Sequence, residues 1–368
     1  MSLFLGLGGS AMAETIPPPL KQYDSVSDVH DIKCKPHLTL VFKDTMWTPA
    51  CVKSSSVDKL IERGWAVDHD PHHMEMMKMP AESVFFTLQG DDQIGFLNKS
   101  NYDAGPIMTY LSSNNDGSIV LATSSGSDTV HAYDKQGKRI SIIPVGDIPK
   151  GVKTHPDGNL AFVANEASGT VSVINLDTLD VVKEIPVGEI PHNIVFHPNG
   201  LEAFVTIQGE DKIAIIDVNS LENTDSIRVG YLPHNLDITP DGNILFVTNI
   251  GSNDVAVVDL NQKEIVKRIS VSKGHHGIDI PPTGNRIFVS GIGEDKISVI
   301  DTTSLETIKQ ITVGNGPHGL RTDSSGIKLY VGITQTNEVV VIDTETLEIT
   351  DRLNPGNVPF WVAIPENP

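Results

Sequence analysis

Phe246-Val-Thr-Asn249, a polar turn through Gly251-Ser-Asn-Asp254, and Val255-Ala-Val-Val-Asp259 form two short β-branched runs around a turn. Alternation over 4–8 residues between Gly, Asn and Asp clusters reads as a hairpin. Phe162-Val-Ala-Asn165 is a near copy two periods upstream. Aligned blocks begin at Ile148, Ile190, Leu232, Gly274 and Gly316, each 42 residues after the last, and a partial block begins at Val358. Each block opens with a strand and a turn such as His155-Pro-Asp-Gly158 or Thr239-Pro-Asp-Gly242, then gives three further strands. Four short strands per repeat make one propeller blade. Residues 84–98 match 203–217 almost position for position, so the hairpins number seven. The fold class expected is all-β, a seven-bladed β-propeller of four-stranded blades with a small N-terminal extension. Val358-Pro-Phe-Trp-Val-Ala-Ile-Pro365 is expected to close the ring as a lone innermost strand beside residue 84 onward, protecting both edges.

The chain has 368 residues, 39% hydrophobic and 20% charged, which suits a folded globular protein rather than a disordered one. No apolar run approaches the ~18–20 residues that span a bilayer as a helix. Lys and Arg number 27 against 47 Asp and Glu, a net charge of −20 that repels nucleic-acid phosphate and attracts cations.

Residues 1–13 read as a signal peptide lacking its basic start: Leu3 to Leu7 is apolar, and Ala11-Met12-Ala13 is a small-residue cleavage site. A plain disordered N-terminus is the alternative. The expected location is extracytoplasmic, secreted or at the cell surface. Residues 14–66 hold the only two cysteines, Cys34 and Cys51, and in an exported chain such a pair reads as one disulfide. Residues 67–81 form a His/Met-rich linker, and 82–368 the propeller. The stretch from Cys34-Lys-Pro-His37 through Pro49-Ala50-Cys51 to Arg63-Gly64-Trp65 resembles a small module attached to exported proteins of ammonia-oxidising archaea. That resemblance implies export and a disulfide and carries no chemistry.

The repeat blocks resemble the YVTN family of β-propeller repeats; Phe246-Val-Thr-Asn249 is nearly the name-giving motif. The resemblance implies fold strongly and function weakly, because the family spans surface-layer proteins, DNA-interacting periplasmic proteins and relatives of enzymes.

The third residue of each block gives Met108, Lys150, His192, His234, His276, His318 and Phe360. The repeat position puts four consecutive imidazoles on one arc of the channel mouth, on the loop-rich face. Imidazole suits copper, zinc, iron and nickel. The competing reading is a duplicated Pro-His consensus in which each ring bonds a neighbouring loop carbonyl. Turns such as Gln208-Gly-Glu-Asp211 and Gly293-Glu-Asp295 would add an acidic rim, although Asp and Gly favour turns in any case. His155 and His197 fall in turns at the opposite face. A second cluster, His72, His73, Met74, Met76, Met77 and Met79, joins thioether to imidazole, a soft set that favours Cu(I); packing is its alternative.

These features lead to an exported propeller binding a transition metal, copper first and zinc or another divalent ion second, as a redox-active candidate with a small redox protein as partner. The arc is similar to nitrous-oxide reductase, whose further histidines and cupredoxin domain are missing here. The outline is similar to haem d1 propellers, whose basic haem-carboxylate ligands reduce here chiefly to Lys150. Two alternatives stand beside it: a non-catalytic cell-surface adhesion propeller that binds a surface protein, and a metal-dependent lactonase- or lyase-like propeller. No nucleophile signature, phosphate loop or dinucleotide fingerprint stands out.

Overall fold

The computed structural model describes residues 34–35, 38–43, 48–53, 56–63, 66–67, 83–97, 99–274 and 277–365. The chain divides into two units, Met1–Met79 and Pro80–Pro368. In the first, strands Leu38–Lys43 and Thr48–Lys53 pair antiparallel, Ala66–Val67 adds to the first of them, and Val57–Glu62 is a short helix. Cys34 and Cys51 are bonded across a Cα separation of 5.7 Å. A cross-link over a loop of this length stabilises by about 3 kcal/mol.

The second unit is a seven-bladed β-propeller of four-stranded antiparallel sheets. In the third blade the strands run Pro191–Phe196, Glu202–Ile207, Lys212–Asp217 and Glu222–Arg228 from the channel outward. The middle strands are Val/Ile-rich and buried because neighbouring blades cover both faces. The outermost strand, with one face to solvent, holds Glu222, Asn223, Thr224 and Asp225 in the open. The seventh blade joins the two ends of the unit: Pro359–Ala363 pairs antiparallel with Phe85–Leu88, followed outward by Gln93–Phe96 and Tyr102–Asp103.

Each inner strand is entered through a left-handed residue: Ile148 (φ 52°), Ile190 (58°), Leu232 (54°) and Val358 (51°). Glycine takes the place in the fifth and sixth blades, at Gly274 and Gly316. A register shift follows, between Pro191 and Ile194 in the third blade and at the matching residues elsewhere.

This register corrects one expectation. Met108 pairs with Ser124 as Pro149 pairs with Asn165, so the first blade starts 41 residues before the second (149 − 108). The chain turns into the first blade one residue later, at Ile107 (φ 56°). Thr109, not Met108, therefore occupies the position of Lys150 and His192.

Candidate ligand site in the propeller channel

Side chains from the seven inner strands meet in three tiers. Among the described residues the upper tier is Thr109, Lys150, His192, His234, His318 and Phe360. The rings of His192 and His234 lie 4.0 Å apart, those of His234 and His318 6.4 Å, and His318 stacks on Phe360 at 3.9 Å. The structure thus brings three of the predicted imidazoles together. It does not leave them at an open mouth: His192, His234 and His318 are 7%, 1% and 0% exposed. His192 Nδ1 lies 3.3 Å from the His234 carbonyl, and His318 Nδ1 3.0 Å from that of Phe360. Both are bonds to the next blade, the duplicated-consensus arrangement. Each makes Nδ1 the donor and leaves the lone pair on Nε2. Lys150 pairs with Glu166 at 3.8 Å.

Among the described residues no three His, Cys, Asp or Glu side chains form a group that could hold a metal ion. His276 and the tract containing His72, His73, Met74, Met76, Met77 and Met79 lie outside the described residues. His155, expected in a turn, also ties blades together: its Nδ1 is 2.6 Å from Asp157 and its Nε2 2.8 Å from the Gly200 carbonyl.

The middle tier is Tyr110, Gly151, Asn193, Asn235, Gly277, Gly319 and Trp361. Tyr110 and Trp361 pack with centroids 4.4 Å apart, and Asn193 donates to Asn235 at 2.5 Å. Burial holds the Tyr110 phenol far above its ordinary pKa, against the opposing effect of its hydrogen-bond contact to Asn235, so it stays protonated. These groups come from four different blades, so they meet across the axis and plug it. The glycines make room: a Cβ at Gly151 would sit 2.5 Å from Asn193 Oδ1, and one at Gly319 2.6 Å from the Phe360 carbonyl.

The lower tier was missed in the sequence: Ser112, Lys153, Val195, Asp237, Asp279, Arg321 and Ala363. It lies three residues beyond the histidine tier, at the same spacing. Arg321 Nη1 is 2.7 Å from Asp279 Oδ1 and 3.7 Å from Asp237 Oδ2. The second carboxylate oxygen of Asp279 accepts the Thr322 N–H at 2.8 Å, and Asp237 accepts those of Ile280 at 2.9 Å and Ile238 at 3.0 Å. Ser112 accepts the Thr154 N–H in the same way at 3.1 Å. A hydroxyl therefore suffices to clasp adjacent blades, and the charges at 237 and 279 exceed what the clasp needs. Burial raises the Asp237 pKa to about 6; Arg321 and Lys153 oppose that shift and Asp279 adds to it.

Below this tier lies a cavity of about 460 Å³, lined by Lys153, Asp237, Asp279 and Arg321 and bordered by the turns after the inner strands. It falls within the range of small-molecule sites. Convergent charged groups and a shifted carboxylate in a cavity are the features by which a candidate active site is recognised.

Fold and site together define a seven-bladed propeller with a charged chamber at one end of its channel. The chain matches the profile of the family described as "Lactonase, 7-bladed beta-propeller" over residues 100–267 and that described as "YNCE-like beta-propeller" over 234–328. The first match takes in Lys153 and Asp237 and stops before Asp279 and Arg321. No curated protein matches. Hydrazine synthase of Kuenenia stuttgartiensis is similar at 23% identity over 69% of this chain and 89% of that one, with a TM-score of 0.62. A Bacteroides uniformis protein assigned provisionally as a 6-phosphogluconolactonase is 19% identical over 77% and 98%, with a TM-score of 0.67. The dihydro-heme d1 dehydrogenase NirN is 16% identical over 84% and 85%, with a TM-score of 0.58. At these identities the likeness is one of fold.

Proposed function

We propose that the chain is an exported, lactonase-like propeller that opens a small cyclic ester by hydrolysis in the chamber at the charged tier. The observation that carries this reading is Asp237, a buried carboxylate beside Arg321 that faces the cavity. With its pKa at about 6 it is mostly ionised at pH 7 yet basic enough to take a proton. In the proposed step, Asp237 accepts a proton from water as the water oxygen bonds to the ester carbonyl carbon. Arg321 and Lys153 lie where positive charge would stabilise the oxyanion. The ring C–O bond then breaks, and Asp237 returns the proton to the departing alkoxide, giving a hydroxy acid. The lactonase-type family match supports the same class. The test is acid release from a panel of lactones by the full chain. The wild type should turn over, and Asp237→Asn should lose at least about 100-fold in kcat/KM with its melting transition intact. Absence of turnover across the panel, or a wild-type rate in the variant, would overturn the reading.

A second reading is favoured by the Nδ1 bonds of His192 and His318: a transition-metal ion, copper before zinc, held by the histidine arc. A backbone carbonyl on one ring nitrogen is the usual support of an imidazole that ligates through the other. Such a centre requires His276 beside His192, His234 and His318, and a copper ion there would supply a one-electron couple for a small redox protein. The tract from His72 to Met79 would be a separate copper site. Elemental analysis of protein purified without chelators decides it: bound copper that His234→Ala removes supports the arc, and metal-free protein refutes it. Failure of both readings would leave the adhesion propeller.

A further inference from the structure

The chamber's lining carries more information than its volume. Two cations, Lys153 and Arg321, face it against three carboxylates, Asp237, Asp279 and Asp323, so its formal charge is negative before any ligand enters. Arg321 Nη1 is already engaged with Asp279 at 2.7 Å and lies 3.7 Å from Asp237. The chain as a whole carries −20. A phosphate or a second carboxylate on the ligand would meet this field as a like charge. Beyond the charged floor the walls are largely apolar: Phe196, Ile238, Ile280 and Ile364 line the chamber alongside Thr154 and Thr322. The lip is largely proline, at Pro156, Pro198, Pro282 and Pro365, with Asn115 and Ser324 as the polar exceptions. Pro156, Pro198 and Pro282 are exposed at the turns.

We infer that the substrate is an uncharged lactone or ester bearing an apolar substituent, its ester group at the charged tier and its substituent against the aliphatic walls and proline lip. This rests on the hydrolytic reading above and deepens it. The reaction balances as before: water adds to the carbonyl carbon, the ring C–O bond breaks, and the hydroxy acid leaves carrying the substituent. The hydroxy acid is anionic, so the negative lining that tolerates the neutral substrate also favours its release.

The experiment compares three kinds of substrate with the full chain: an unsubstituted lactone, lactones with alkyl substituents of increasing length, and a phosphorylated sugar lactone. Each methylene buried should raise kcat/KM about fourfold until the lip is reached. The phosphorylated lactone should fall at least about tenfold below the best alkyl lactone. Replacing the lip with Pro198→Ser and Pro282→Ser should raise KM for the long-chain alkyl lactones and shrink the gain in kcat/KM with chain length. A preference for the phosphorylated lactone, or a rate independent of chain length, would overturn the inference while the hydrolytic reading stood. If no lactone is opened, the hydrolytic reading falls, and calorimetric titration with alkyl lactams reads the preference without turnover. Affinity that grows with chain length then upholds an apolar-substituted ligand, and no binding overturns it.

Discussion

The two ends of the channel are built on the same inner strands, three residues apart, and have opposite characters. At the upper end one residue type recurs: His192, His234 and His318 pack ring on ring, and two of the three bond the next blade's carbonyl through Nδ1. At the lower end Lys153, Val195, Asp237, Asp279 and Arg321 follow one another around the ring, four residue types among five blades. Repetition of a side chain follows repetition of a bond: the same carbonyl is presented by each blade, so the same donor satisfies it. Where the residues diverge, the shared bond no longer dictates them. Ser112 shows that an uncharged oxygen makes the blade-to-blade contact. Uniformity marks the packed end, and variety marks the end with a cavity.

The contrast breaks most readily at Asp279. Asp279→Ala removes the partner of Arg321 at 2.7 Å and the acceptor of the Thr322 N–H. With Asp279 1% exposed, the loss should destabilise by about 3 kcal/mol, read as a lowered urea midpoint at unchanged slope. A change below about 1 kcal/mol would mean that the charged tier is not a coupled network.

His318→Phe should cost less, about 1 kcal/mol. It forfeits the Nδ1–H bond to the Phe360 carbonyl but keeps an aromatic ring to stack on Phe360. A loss equal to that of Asp279→Ala would erase the distinction between the tiers.

The smallest effect is one of pH, because two buried groups oppose each other. Asp237 has a folded pKa of about 6 against an ordinary 3.8, raised chiefly by burial. The native state then binds more protons than the unfolded chain between those values, so this group's contribution falls as pH rises through that window. His131, on a middle strand of the first blade, is lowered from 6.5 to about 4 by burial and by Arg139. Here the unfolded chain binds more protons, and stability rises with pH from about 4 to 6.5. Urea midpoints between pH 4 and 7 should rise more steeply in Asp237→Asn than in the wild type, and less steeply in His131→Asn. Parallel profiles in all three would refute both shifts.

Much of this was legible in the chain. The 42-residue spacing carried the blade count, and the apolar run Phe360-Trp-Val-Ala363 marked the closing strand. The Cys34–Cys51 bond followed from an isolated pair. The first blade's offset was hidden, because Met108 fits the period until the left-handed residue is seen at Ile107 rather than at Pro106. Burial of the histidines was hidden as well. The repeat position places a ring near the axis, but only the contact of Tyr110 in the first blade with His192 in the third shows that the axis there is filled. Asp237, Asp279 and Arg321 lie on the same period, but only two of the seven blades share a residue type there, and a tier without one recurring side chain carries no repeat signal.

The most direct measurement sets the two tiers against each other: the pH dependence of kcat/KM for an uncharged alkyl lactone in the wild type, Asp237→Asn and His318→Phe. With Asp237 as the base, wild-type activity should rise through a pH of about 6 and level above it. His318→Phe should keep that profile and a rate within about threefold, while Asp237→Asn should fall by about 100-fold or more across the whole range. A profile that survives in Asp237→Asn and collapses in His318→Phe would place the chemistry at the histidine end and contradict the account.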